Sequence, residues 1–104
     1  MIIYVIICFI MKIFFKPLFR KFVKKQTRAF QLAIEDEIEK IADNPEAGIS
    51  TKGDLAEFQI YKFTFNKQVI LIAYRISETC MFFYSAGHHE NFYRDLKRYL
   101  REVE

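Results

Sequence analysis

Residues 57–87 read EFQIYKFTFNKQVILIAYRISETCMFFYSAG, and this stretch decides the fold. It holds three runs rich in β-branched and aromatic residues: EFQIYKFTF from Glu57, QVILIAYRI from Gln68 and CMFFYSA from Cys80. Residues of these types suit a pleated surface. Asn66-Lys67 separates the first two runs and Ser77-Glu78-Thr79 the last two. Gaps of that length are too short for a parallel crossover, so the runs are predicted to be consecutive antiparallel strands joined by hairpins. The middle run is almost wholly apolar, as a central strand covered on both faces is.

Upstream, Phe30, Ala33, Ile34, Ile38 and Ile41 recur at helical spacing. The spacing predicts an amphipathic helix over 28–42 with an acidic outer face. Thr27 is placed to cap it, and DNPEAG at 43–48 to stop it. Residues 44–55 read as a polar loop with Gly48 and Gly53. Earlier still, MKIFF (11–15) reads as a short strand. Lys16-Pro17 then opens a short helix ending near Gln26, with proline where its missing N–H costs nothing. Gly87 is expected to end the last strand and let the backbone turn sharply. Beyond it Phe92, Leu96, Tyr99 and Val103 make one stripe of a final helix over 90–102. The order is β-α-α-β-β-β-α, an α+β domain with a twisted antiparallel sheet and helices packed on one face. No repeat or linker divides residues 11–104, which read as a single domain.

Residues 1–10, MIIYVIICFI, are apolar throughout. The run is too short for a spanning helix, which needs about 20 apolar residues. It lacks the preceding cation and following small residues of a secretory signal, and a membrane partner is not expected. Three readings stay open: an interfacial anchor backed by basic residues, an extra strand, or an extension ahead of a start at Met11. The last is favoured, because MKIFFKPLFRKFVKK reads as a complete opening strand and helix.

The 104-residue chain is 52% apolar with twelve phenylalanines, which excludes a disordered chain. Two cysteines, Cys8 and Cys80, make no disulfide framework and no zinc spacing. Cys80 reads as a buried thiol, and a reducing, cytoplasmic setting follows. The net charge of +3 permits an anionic partner without demanding one. Its distribution is sharper. Residues 1–34 carry no acid but hold Lys12, Lys16, Arg20, Lys21, Lys24, Lys25 and Arg28. Acids then crowd residues 35–46, and Arg94, Lys97, Arg98 and Arg101 make the end basic again. Either the two basic ends meet in space or each is a solvated helix face.

The chain's two histidines, His88 and His89, stand together between the last strand and the last helix. A helix start suits a phosphate. His89 and Tyr93 are four apart and share a helix face, and the sheet is expected to bring Lys62 or Arg75 near them. Imidazole, phenol and ammonium beside an anion site are the parts of a ribonuclease. A base takes the proton of the 2′-hydroxyl, a cation stabilises the phosphorane, and an acid protonates the leaving 5′-oxygen. The nucleophile is internal to the substrate, so neither a metal ion nor another cofactor is called for. The plainer reading is that the histidines only start a helix and Tyr93 only packs beneath it.

The element order, the run YKFTFNKQVILIAYRI (61–76) and the close SAGHHENFYRDLKRYL (85–100) resemble the RelE/ParE superfamily of type II toxins, over residues 11–100. The resemblance implies a small basic toxin held silent by a cognate antitoxin, acting on ribosome-bound mRNA or, in ParE-like members, on DNA gyrase. Lys62 falls where RelE-like toxins carry one lysine. Their second lysine is Thr64 here, an expected arginine is Leu71, and the arginine after the glycine is His89. The ending is similar to YafQ-like toxins, which place a histidine two residues after the glycine and an aromatic four further on, as His89 and Tyr93 stand. The histidines that such enzymes bring from preceding strands are missing, leaving Lys62, Tyr61 or Arg75 as substitutes. The resemblance thus implies His89 as general acid or base, Tyr93 orienting the phosphate and Lys62 stabilising charge. His88, Arg75 and Arg94 are further RNA contacts, and Lys16, Arg20, Lys21, Lys24 and Lys25 meet ribosomal phosphates.

Overall fold

Both short gaps of the strand region fold as tight turns. Asn66 and Lys67 adopt left-handed backbone, with φ of 50° and 64°. A type I′ hairpin turn, whose twist matches that of its strands, needs both central residues in that conformation. At the second gap Ser77 already pairs with Cys80, so the turn is Glu78-Thr79 alone, with Glu78 left-handed at φ 54°.

The computed structural model describes residues 12–51, 53–55 and 57–103, so the readings made on residues 1–10 lie outside the described residues. In chain order the elements are β1 (Lys12–Phe15), α1 (Pro17–Lys24), α2 (Arg28–Asp43), β2 (Ile49–Ser50), a 3-10 turn (Gly53–Leu55), β3 (Gln59–Phe65), β4 (Gln68–Ser77), β5 (Cys80–His88) and α3 (His89–Val103). The α+β class and the order of the main elements are those read from the sequence. The two-residue β2 and the 3-10 turn are additions inside the expected 44–55 loop.

The sheet runs β1-β5-β4-β3-β2. Strands β2 to β5 are antiparallel, as the hairpins require, but β1 lies parallel to β5, with Lys12–Phe15 against Cys80–Phe83. The sheet is therefore mixed. The short gaps constrain only β3 to β5, whereas β1 reaches its neighbour through most of the chain, a connection long enough for a parallel pair.

The helices do not share one face. Ile70, Ile72 and Tyr74 of β4 pack with Phe19 of α1 and with Phe30, Ile34, Ile38 and Ile41 of α2. Leu71 and Ala73 pack on the other side with Tyr84, and with Phe92 and Leu96 of α3. All five residues from Ile70 to Tyr74 are 0% exposed. Covering of both faces explains the unbroken apolar run, because side chains alternate across a strand and each half needs its own helix. At about 25 cal/mol per Å² of apolar surface removed from water, each face contributes to stability independently.

Local chemistry sets the boundaries. The Thr27 hydroxyl accepts from the Phe30 N–H at 3.2 Å and caps α2. The Tyr74 hydroxyl accepts from the Gly48 N–H at 2.8 Å and donates to the Pro45 carbonyl at 2.7 Å, fixing the loop after α2. A Cβ on Gly48 would lie 2.8 Å from that hydroxyl, so only glycine fits without a shift. Burial raises the Tyr74 pKa, with the Gly48 hydrogen bond opposing it. Cys80 is free and half-buried, not the buried thiol expected, because it opens β5 beside a turn.

Candidate functional site

Gly87 does not turn the chain. It pairs with Leu71 inside β5, and the strand continues through His88, which pairs with Ile70. His89 is then the first residue of α3. The strand-to-helix change falls between the histidines and aims them apart. The His88 ring meets Phe22 of α1 at 6.5 Å, with 72° between the planes. The His89 ring meets Tyr93 at 6.1 Å and 81°, edge to face. Both histidines are exposed and Tyr93 is half-buried. The pairing expected from the four-residue spacing is therefore present.

His88 and His89 border an open cleft of about 470 Å³ with Gln68 and Val69, at the start of β4. Sequence reasoning missed Gln68. No motif marks it, and only the register, which sets Phe65 opposite Gln68 and Ile70 opposite His88, brings it there.

Lys62 pairs with Leu71, which pairs with Gly87. It lies two strands over from Gly87, about 10 Å across the ladder. Its neighbour Ile60 belongs to the cluster under α3, so Lys62 projects on the α3 face, where it is exposed. Thus Lys62 shares a face with α3, but it does not line the cleft itself.

Arg75 does not reach this place. It pairs with Phe82, whereas Ile70 pairs with His88, so Arg75 sits about 17 Å away along β4. Its guanidinium donates to the Tyr84 hydroxyl at 2.8 Å and meets Glu57 at 3.2 Å. It also lies over the rings of Tyr84 and Phe58, at 5.1 and 5.6 Å. A bulge inserts Tyr84 as an extra residue of β5 at this point and turns its ring toward the arginine. Lys16 stands over the same cluster, 5.1 Å from Tyr84 and 5.4 Å from Phe82. Tyr61 is also removed from the site. It packs on the α2 face, donating to Glu37 at 2.6 Å. Burial first, and then that hydrogen bond, push its pKa up to about 12.

The basic helix splits by its own periodicity. Arg20 and Lys24, with Arg28, rim a groove of about 460 Å³ floored by Phe15, Phe19, Val23, Ile34 and Ile38. Lys21 and Lys25 face the other way, into a cleft of about 310 Å³ between α1 and α3 that His88 also lines. These five cations have no carboxylate within ion-pair distance among the described residues. Lys21 and Arg98 border a common depression, so the two basic ends do meet, with Asp95 between them. Arg94 is exposed and pairs loosely with Asp95, at 3.6 Å. Among the described residues no group of histidine, cysteine and acid side chains could hold a metal ion, and no helix is long and apolar enough to cross a membrane.

A family model for ParE-like toxins of type II bacterial toxin-antitoxin systems matches residues 13–97. A search of curated protein sequences finds no match. Among solved structures the chain is similar to the toxin-antitoxin complex RelBE2 of Mycobacterium tuberculosis, with 16% identity over 76% of this chain and 98% of that one, at a TM-score of 0.66. It is similar to a mutant of the Escherichia coli toxin RelE in the free state, with 11% identity over 90% and 98%, at 0.65. It is similar also to the isolated E. coli RelE toxin, with 15% identity over 89% and 99%, at 0.59. At such identities the likeness is one of fold. The family match extends from β1 to α3 and takes in both helical faces and the His88-His89 corner: the chain belongs to the ParE-like toxins of type II bacterial toxin-antitoxin systems.

Proposed function

We propose that this toxin is an endoribonuclease that cuts mRNA on the ribosome and so stops translation. The observation that carries the reading is the His89–Tyr93 ring contact, with His89 exposed at the border of an open cleft and Tyr93 half-buried behind it. His89 serves as general acid or base. Tyr93 orients the phosphate, and Lys62 stabilises the charge that develops on its oxygens. The 2′-oxygen attacks phosphorus as its proton leaves, the bond to the 5′-oxygen breaks, and that oxygen takes up a proton. The products are a 2′,3′-cyclic phosphate and a 5′-hydroxyl, with no metal ion required. The working place of such an enzyme is the cytoplasm.

Arg20 and Lys24 of the basic helix meet ribosomal phosphates, and such contacts weaken with salt. The same cations rim the apolar groove over Phe15 and Phe19. An antitoxin segment with an apolar stripe and acidic flanks fits that groove. Its binding covers the cations and silences the toxin. The RelBE2 structure, a toxin-antitoxin complex, supports a partner of this kind.

A translation extract primed with a defined mRNA tests the activity. Purified protein is added and the message is read by primer extension. Cuts at discrete positions inside ribosome-covered codons, absent with His89→Ala, are the expected result. An intact message overturns the reading.

A second reading is a toxin that grips DNA gyrase and does no chemistry. Thr64 and Leu71, standing where RelE-like toxins carry basic residues, favour it. Inhibited supercoiling with an intact message is its signature. A toxin that has lost its activity and only binds its antitoxin passes both assays unchanged.

A further inference from the structure

The cleft between α1 and α3 holds cations that the His89–Tyr93 pair does not account for. Lys21 and Lys25 are one helical turn apart and line the same wall. Neither meets a carboxylate among the described residues. The one acid of the cleft whose side chain is described, Asp95, is already engaged by Arg98 at 3.2 Å and Arg94 at 3.6 Å. The floor is β5 itself. Strand β1 stops opposite Phe83, so no described strand covers that edge from Ser85 to His88. The Asn91 side chain, at the start of α3, adds a neutral hydrogen-bond donor. At about 310 Å³ the space lies at the small end of ligand sites, matching one nucleotide rather than a helix or a protein loop.

The position matters as much as the charge. His88 borders this cleft and also the one holding His89. A single strand whose scissile phosphate lies at His89 can run on past His88, which both clefts share, toward the two lysines. We infer that the α1–α3 cleft is a subsite for the phosphate adjacent to the scissile bond, with Lys21 and Lys25 as its charged partners and His88 and Asn91 as hydrogen-bonding partners. The inference rests on the reading of this toxin as an enzyme acting on RNA. The subsite fixes the register of the message against His89 and favours a polynucleotide over a single nucleotide.

The test is direct binding of a fluorescently labelled oligouridylate to the full chain, followed by anisotropy from low to moderate salt. Lys21→Ala/Lys25→Ala is expected to weaken binding about tenfold. It should also flatten the dependence of log Kd on log salt by about 0.7, the share of one phosphate on a single strand. Arg20→Ala/Lys24→Ala removes the same charge from the other side of the same helix and should weaken binding less than threefold. Lys21→Arg/Lys25→Arg keeps the charge and should restore most of the affinity, which guards against a fold defect in the alanine pair. Equal weakening by the two alanine pairs reduces the effect to general charge and overturns the subsite.

Inorganic phosphate is the second probe, read by NMR. It should move the His88 ring and Asn91 side-chain signals in the parent and not in the alanine pair. Phosphate shifts with unaltered oligonucleotide binding would mark a free-ion site and overturn the RNA assignment. Loss of affinity for an acidic peptide alone would assign the cleft to a protein partner and overturn it as well. Cleavage on the ribosome separates this inference from the reading beneath it. Unchanged cleavage by the alanine pair refutes the subsite and keeps the nuclease. No cleavage by the parent, with the binding differences intact, refutes the nuclease and keeps the phosphate site.

Discussion

At the turn end of the β4–β5 ribbon, Arg75 is held by a phenol, a carboxylate and two aromatic rings. At the open end, His88 and His89 stand exposed, each with one ring neighbour. The residue types at both ends suit phosphate chemistry, yet only one end is free to perform it. A cation held against the buried rings of Tyr84 and Phe58 contributes to the fold. To bind RNA, Arg75 must first give up its hydrogen bond to the buried Tyr84, worth about 1.5–3 kcal/mol where a charge is involved, while its exposed pair with Glu57 adds little. Residue type alone therefore does not locate a site; the state of its partners does.

The largest effect that separates the two ends is expected from His89→Ala. General acid-base groups supply about 10²–10⁴ in rate. Cleavage should fall by that much while the melting temperature stays put. A fall of less than tenfold breaks the comparison at the open end. Arg75→Ala should do the reverse. It removes the donor to the Tyr84 hydroxyl and the cation over two rings, costing about 2 kcal/mol in urea unfolding, with cleavage per folded molecule unchanged. Lost cleavage at unaltered stability would move Arg75 back among the RNA contacts.

The hairpins of β3 to β5 were legible because two-residue gaps leave the chain no other path. Helix α2 was legible from its apolar spacing and from Thr27. The parallel seat of β1 was not, since Phe15 meets Phe83 with no local signal between them. Nor was the second covered face. In a run that is apolar at every position, the alternation of Leu71 and Ala73 with their neighbours is hidden. At the site, the four-residue spacing gave His89 and Tyr93. Gly87 misled, because its pairing with Leu71 is decided by β4 rather than by its own freedom. The two directions of the α1 cations follow from helical geometry, but what each side faces depends on where α3 packs.

A smaller effect probes the α2 face. Tyr61→Phe takes the hydrogen bond from Glu37 Oε1 and leaves that half-buried carboxylate only Lys40, at 3.2 Å on its other oxygen, and should cost about 1–2 kcal/mol near neutral pH. The Tyr61 pKa is pushed up to about 12 from 10.0 in the folded chain. Its contribution is therefore fully present below about pH 10 and is lost as pH rises toward 12. The variant should show a flatter stability profile across that window, measured by denaturant titration; an unchanged profile removes the phenol from the account. Least affected of all should be Arg94→Ala, whose exposed pair with Asp95 is of the kind that rarely registers in a melting curve. A clear loss of stability there would show that exposed cations of α3 are not spare.

The parallel pairing of β1 with β5 also orders events in time. The meander from β3 to β5 joins neighbours in sequence and closes small loops, which is fast. Strand β1 and helix α1 are synthesised well before their strand partner, Cys80–Phe83. At about 5–20 residues per second, β1 waits several seconds on the ribosome for its seat. The cleft lined by Lys21 and Lys25 is thus assembled only once β5 and α3 have been made, and a chain that stops before them lacks both the lysine cleft and the histidine corner. A toxin cut short before β5 therefore carries neither surface.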